Sequence, residues 1–168
     1  IVFGGDGFCG WPTSLHLASL GHKVLIVDNL SRRSIDDELS SGSLTEIATI
    51  KERIDAANKL IGDVEFINLD IASDTSHLRN LLRDHQPNTV IQFAEQRAAP
   101  YSMIGDKERR YTVDNNITGT HNICTSLVDV SPNTHLIHLG TMGVYGYSKA
   151  FGSIPEGYLN IKINQTQK

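Results

Sequence analysis

The chain has 168 residues, of which 39% are hydrophobic, and a formal charge of -4. At this size roughly 70% of the surface can be buried in one core, so one domain is expected, and apolar runs no longer than a strand exclude a helical membrane span. The acidic balance, with no basic run longer than Arg32-Arg33, argues against a nucleic-acid partner, while Cys9 and Cys124, far apart and outside any C-x-x-C pair, suit a reducing compartment better than a disulfide framework.

In chain order, Ile1-Val2-Phe3 reads as a strand that runs directly into Gly4-Gly5-Asp6-Gly7-Phe8-Cys9-Gly10. A strand of about five or six residues does not fit ahead of Gly4, so the chain reads as a piece of a longer protein. A helix follows, with Trp11, Leu15 and Ala18 on one face, Pro12 in its first turn and Gly21 at its end. Val24 to Val27 is a second strand, closed by Asp28, and Asn29 to Gly42 reads as irregular. Ser43 and Glu46 form a capping-box pattern, which predicts a helix carrying Leu44, Ile47, Ile50, Ile54, Ala57 and Ile61 on one face.

Val64 to Leu69 is the third strand, ending at Asp70, and Leu78, Leu81, Leu82 and His85 predict a helix that stops before Pro87. Val90 to Phe93 is the fourth strand. Val113, Ile117, Thr120, Cys124 and Leu127 predict another helix, with Cys124 packed on its apolar face, and Leu136 to Leu139 is the fifth strand. Gly143 to Pro155 reads as irregular, and Tyr158 to Ile163 as a short edge strand. Continuous apolar strands alternating with helices indicate an α/β fold, a doubly wound parallel sheet of Rossmann type truncated at both ends. Residues 1–153 are read as an incomplete NAD-binding domain and 154–168 as the start of a substrate-binding region.

The glycine loop carries the first chemical signal. Gly4, Gly7 and Gly10 allow bare backbone to approach an anion at a helix N-terminus, with Phe8 and Cys9 between them. Cys9 itself reads as a small space-filling residue. Asp28 stands where a carboxylate grips the ribose hydroxyls of a dinucleotide and so favours NAD, while Arg32 and Arg33 keep NADP open. Asp70 either bonds the adenine amine, with Ile71 packing beside it, or belongs to the N-cap of a helix at Ser73. The histidines show no ligand spacing with cysteine or paired carboxylates, so no metal is expected. After the fourth strand, the polar run Glu95-Gln96-Arg97 leaves the sheet edge where open α/β folds bind ligands, and Arg97 offers a fork suited to an anion. Thr141 leaves the fifth strand at the same edge, with turn capping as its plainer role.

On the Gly4 to Gly10 loop, Asp28-Asn29-Leu30, Glu95 to Met103, Asn115 to Thr120 and Gly140 to Gly143, the chain resembles the extended short-chain dehydrogenase/reductases, the epimerase/dehydratase family of nucleotide-sugar enzymes. The strings E-Q-R-x-A-P-Y-S-M and T-M-G point more narrowly to the branch that joins sulfite to UDP-glucose. The resemblance implies bound NAD, oxidation at sugar C4, loss of the C5 proton and the C6 hydroxyl, attack by sulfite and return of the hydride. It implies catalysis by Thr141 at the sugar 4-hydroxyl. Gln96 and Arg97 would serve the substrate, and Asn115 and Asn29 the cofactor. The family's Tyr-x-x-x-Lys pair is expected beyond Lys168, since Tyr145 and Lys149 follow Thr141 too closely to be it. Val144 and Ala98 replace the glutamate and serine of close members. Epimerase or 4,6-dehydratase chemistry, and a non-catalytic NAD sensor, are the alternatives. The implied setting is a homodimer in the cytoplasm, or in the plastid stroma after a transit segment.

Overall fold

The computed structural model describes residues 1–141 and 143. Its five-stranded sheet comprises β1 (Val2–Phe3), β2 (Val24–Asp28), β3 (Val64–Asn68), β4 (Thr89–Gln92) and β5 (His135–His138), in the order β3-β2-β1-β4-β5. Every pairing is parallel, with Val2 between Ile26 and Ile91 at the centre. Parallel neighbours require crossovers, and the helices supply them: α1 (Gly10–Ser19), α2 (Ser31–Glu38), α3 (Ile50–Leu60), α4 (Thr75–His85), α5 (Ala99–Ser102), α6 (Asp106–Val113) and α7 (Gly119–Val130). The doubly wound α/β architecture expected from the sequence is therefore the one observed.

Strand alternation explains the continuous apolar runs. Leu25 and Val27 join Phe3 and Val90 on one face, beneath Leu78, Leu81 and Leu82 of α4 and Ile123 and Leu127 of α7. Val24 and Ile26 join Val2 and Ile91 on the other face, against Ala18 of α1 and Ala57 of α3. In β1, β2 and β4 nearly every residue is buried whichever way it points, so the period of two is erased there. Both edge strands depart from this pattern: β3 exposes Glu65 and Asn68, and in β5 Ile137 is 43% exposed, with Leu139 just beyond it at 57%. Among the described residues no helix covers that side of β5.

Three expectations change. The stretch after Asp28 is not irregular throughout, because α2 occupies Ser31–Glu38 without burying a single residue. The third helix starts at Ile50 rather than beside Ser43, and its capping box is Thr49 with Glu52: Thr49 Oγ1 accepts from the Glu52 N–H, and Glu52 Oε2 accepts from the Thr49 N–H. Both pairs satisfy the S/T-x-x-E pattern, but helix from Ile50 onward brings Ile54 and Ala57 to the sheet, whereas Leu44 stays fully exposed.

The predicted helix through Val113 and Leu127 is in fact three pieces, α6, a π-helical turn at Asp114–Thr118, and α7. The π turn resets the helical phase, leaving Val113 and Ile117 exposed and burying Asn115, Gly119, Asn122, Ile123, Ser126 and Leu127. Cys124 is consequently exposed rather than packed. Beside the core residues Ile123 and Leu127 the buried positions are small or polar, and α7 approaches the loop after β3 closely. A Cβ on Gly119 would meet Ile71 Cδ1 at 3.1 Å, and Asn122 Nδ2 donates to the Ile71 carbonyl at 2.9 Å.

No helix among the described residues is long and apolar enough to cross a membrane. The expected irregular stretch from 144 to 155, the edge strand from Tyr158 to Ile163, the region 154–168, and Val144, Tyr145 and Lys149 lie outside the described residues.

Candidate functional site

The chain exits β1 on one side of the sheet's centre and β4 on the other, and connections from them run to opposite faces. The carboxyl edge between them opens a cleft of about 820 Å³. Its floor is the glycine loop. Gly4 has φ +72°, and a Cβ there would lie 2.6 Å from the Ala94 nitrogen, so the turn presses main chain against main chain across the gap between β1 and β4. A Cβ on Gly10 would lie 2.1 Å from the Gly4 carbonyl oxygen, so α1 can begin this close to the loop only without a side chain. Gly7 N–H donates to Gly4 O at 3.2 Å, and Trp11 N–H to Gly7 O at 3.0 Å. The N–H groups of Phe8, Cys9 and Gly10 have no protein acceptor among the described residues and stand at the start of a ten-residue helix. That arrangement suits an anion. Phe8 is 89% exposed at the rim, and Cys9, expected to fill space, is exposed as well.

Asp28 ends β2 on the same edge. Its Oδ1 accepts from Leu30 N–H at 2.8 Å and its Oδ2 from Asp6 N–H at 3.1 Å. Each oxygen keeps a further lone pair, so the oriented carboxylate can still accept two hydroxyls. Burial pushes its pKa up from the ordinary carboxylate value, against the pull of the two N–H groups, and the nearby Asp6 charge adds to the rise. Asn29 Oδ1 accepts from Ser31 N–H at 3.0 Å and shapes the entry to α2.

The two arginines after it are both engaged. Arg32 Nε pairs with Asp36 at 3.1 Å, one helical turn on. Arg33 reaches Asp6, with Nη2 2.7 Å and Nε 2.9 Å from Oδ2. Arg53 of α3 donates from Nη1 to the other oxygen of Asp6, while its guanidinium lies 3.9 Å from the Trp11 ring centroid. Sequence reasoning gave neither Asp6 nor Arg53 a place in the site, and read Trp11 only as part of one face of α1. The available signal was a carboxylate inside an anion-binding loop, which cannot stay there without a cation beside it.

Asp70 is half-buried between the cleft-lining residues Leu69 and Ile71. Its Oδ1 accepts from Ala72 N–H at 2.8 Å, and the cap of α4 is Asp74, whose Oδ1 accepts from His77 N–H at 3.0 Å, so the expected N-cap at Ser73 is replaced. Ile71, buried, lines the wall beside Leu69. On the opposite side, buried Asn115 donates to the Ala94 carbonyl at 3.3 Å. Its neighbour Asn116 accepts from Gln96 N–H at 2.7 Å and donates to Gln96 O at 2.9 Å. Gln96 in turn folds its amide onto Ala98, accepting from its N–H at 2.7 Å and donating to its carbonyl at 2.9 Å. Arg97, held between them, is exposed on the cleft wall and makes no ion pair among the described residues. Thr141 emerges beyond β5 on the same edge, exposed, its Oγ1 accepting from Gly143 N–H at 3.2 Å; Leu139 and Gly140 line the cleft, but Thr141 itself does not. Among the described residues no cluster of metal-ligating side chains occurs.

The model of the NAD dependent epimerase/dehydratase family matches residues 1–165. A chloroplastic UDP-sulfoquinovose synthase from Spinacia oleracea is 42% identical over 98% of this chain and 34% of its own length. A UDP-sulfoquinovose synthase from Sulfolobus acidocaldarius is 39% identical over 98% of this chain and 42% of its own. The chain thus spans between a third and a half of these relatives. Among solved structures, a UDP-glucose-4-epimerase from Stenotrophomonas maltophila with bound NAD and formylated UDP-arabinopyranose superposes with a TM-score of 0.67 at 23% identity, covering 90% of this chain and 39% of that one, a likeness of fold. Glycine loop, strand-end carboxylate and parallel sheet meet at one edge in the span that the family model covers, and the chain belongs to the NAD dependent epimerase/dehydratase family.

Proposed function

We propose that the whole protein is an NAD-dependent UDP-sulfoquinovose synthase that converts UDP-glucose and sulfite into UDP-sulfoquinovose. The observation that carries this reading is the likeness to two such synthases, from a plant and an archaeon, sustained along 98% of the chain. The residues present fit NAD. A Cβ on Gly4 or Gly10 would close the loop's cradle, the N–H groups of Phe8, Cys9 and Gly10 await an anion, and Asp28 retains acceptors for two ribose hydroxyls. When bound, NAD supplies reversible oxidation at a sugar carbon.

The chain's own residues bind and orient. The Gly4 to Gly10 loop seats the pyrophosphate, and Asp28 holds the adenosine ribose, with Asn29 and Ile71 bounding that pocket. Asn115 fixes the exit of β4 through its bond to the Ala94 carbonyl and would help hold the coenzyme there. Arg97 is a guanidinium fork aimed at an anion, and Gln96 sets its backbone. Thr141 holds the proton of the sugar 4-hydroxyl, moving it as that oxygen becomes a carbonyl and back again. In the net reaction the C6–O bond gives way to a C6–S bond and one water leaves, with no net redox change. The family's tyrosine and lysine, and the uridine-binding part, belong to the remainder of the protein. On this reading it acts as a homodimer in the cytoplasm, or in a plastid.

The experiment is to incubate the whole protein with UDP-glucose, with and without sulfite, and follow products by mass spectrometry. A sulfonated nucleotide sugar appearing only with sulfite supports the synthase. UDP-galactose or a 4-keto-6-deoxy sugar formed without sulfite supports the second reading, a 4-epimerase or 4,6-dehydratase, which Val144 and Ala98 favour because both remove polar groups that close members carry.

A further inference from the structure

A carboxylate in the floor of a phosphate site is an anomaly. Asp6 lies inside the glycine loop with a side chain only 5% exposed, where its charge opposes any anion the loop receives. It persists because two guanidinium groups from distant parts of the chain converge on it, Arg33 at the start of α2 and Arg53 in α3. The same residue's main-chain N–H donates to Asp28 Oδ2 at 3.1 Å, so Asp6 touches both the acid that selects the ribose and the base nearest to it. Asp6 and Asp28 balance Arg33 and Arg53, leaving this corner of the cleft neutral.

We propose that Asp6 is a coenzyme-selecting residue, occupying Arg33 so that no free guanidinium faces a 2′-phosphate on the adenosine ribose. This rests on the reading of the cleft as a dinucleotide site. An arginine beside the ribose-binding acid is the usual feature by which such a pocket accepts a phosphate there, and Arg33 has the position for it. What removes it is its direction. Its Nε and Nη2, the two donors that would form a bidentate pair with phosphate, both point to Asp6 Oδ2. Arg32 is likewise turned away onto Asp36. A 2′-phosphate carries about -1.5 to -2 charges at neutral pH. It would meet Asp28 with no counterion released. Neutralising Asp6 changes the balance by one positive charge. It also frees Arg33, whose side chain is already 34% exposed and can swing toward the ribose.

The test uses the whole protein and reads binding rather than turnover, by calorimetric titration with NAD and with NADP. The wild type should prefer NAD by at least about 100-fold, a repulsion plus a lost bidentate pair. Asp6→Asn should lower the ratio of the NADP to the NAD dissociation constant at least tenfold, and the double variant Asp6→Asn/Arg33→Met should restore it. A folded Asp6→Asn protein with an unchanged ratio overturns the proposal, as does a double variant that keeps the gain. If Asp6→Asn does not fold, Arg33→Gln decides. An occupied Arg33 leaves NADP affinity within twofold of wild type on replacement, whereas selective loss of NADP binding means the arginine was available all along. Wild-type protein that binds neither dinucleotide would instead overturn the reading of the cleft itself, and the selection with it.

Discussion

Asp28 carries opposing demands at the scale of a single residue. On the proposed reading it must be ionised to accept two ribose hydroxyls, yet burial and the neighbouring Asp6 charge raise its pKa above that of an unfolded aspartate. A carboxyl whose folded value is raised contributes stability that is full below the unfolded value and fades as pH rises through the folded one. Thermal melts should therefore show wild type losing ground to Asp28→Asn as pH rises from the acid range, and the gap should close on acidification through that window. NAD binding should move the other way, with Asp28→Ala raising the dissociation constant at least about tenfold, or ~1.4 kcal/mol, by calorimetry. Gly10 offers a steric counterpart. Its substitution by Ala places a Cβ 2.1 Å from a carbonyl oxygen that cannot rotate aside. We expect a loss of about 2–3 kcal/mol in urea unfolding. Gly21→Ala, whose added Cβ meets nothing, should cost only about 1–2 kcal/mol through its left-handed φ of +88°.

Elements differ in how openly they announce themselves. The strands β2 and β4 were legible because burial on both faces turns them into uninterrupted apolar runs, and α4 because Leu78, Leu81 and Leu82 all reach the sheet. Helix α2 was invisible for the opposite reason: it buries nothing, so no hydrophobic period exists to read. The start of α3 was misplaced because two capping-box patterns lie six residues apart and only packing chooses between them. Thr49→Ala should then cost about 1 kcal/mol in urea unfolding. Ser43→Ala should leave the midpoint where it was, since Ser43 caps no helix. In α7 hydrophobicity told only part of the story: Leu127 reaches the core with Ile123, but beside them pack Gly119, Asn122 and Ser126, which allow close approach and, through Asn122, a hydrogen bond to the Ile71 carbonyl.

For the molecule as a whole, the order β3-β2-β1-β4-β5 accounts for where the chemistry gathers. Gly4, Asp28, Ala94 and Gly140 stand at or just past the ends of four different strands, yet parallel pairing delivers all of them to one edge. That convergence was readable in outline from strand-end residues alone. The pairing of Asp6 with Arg33 and Arg53 was not, because it joins positions 27 and 47 residues apart that share no periodicity. Thr141 emerges, exposed, beyond β5 on this same edge. In the whole protein Thr141→Ala should lower kcat by about 10²–10⁴-fold while leaving NAD affinity within a factor of two, read by steady-state kinetics and titration.

The π turn at Asp114–Thr118 ties these scales together. One surplus residue per turn rotates Asn115 and Asn116 inward, where their amides stitch Ala94 and Gln96 in place. Excising a single position there would relax the coil to ordinary pitch and swing both amides about 100° off target. The Arg97 segment would then be untethered, though nothing in its own composition had changed. Substitution at exposed Ile117 should therefore disturb this tether far less than a change of length.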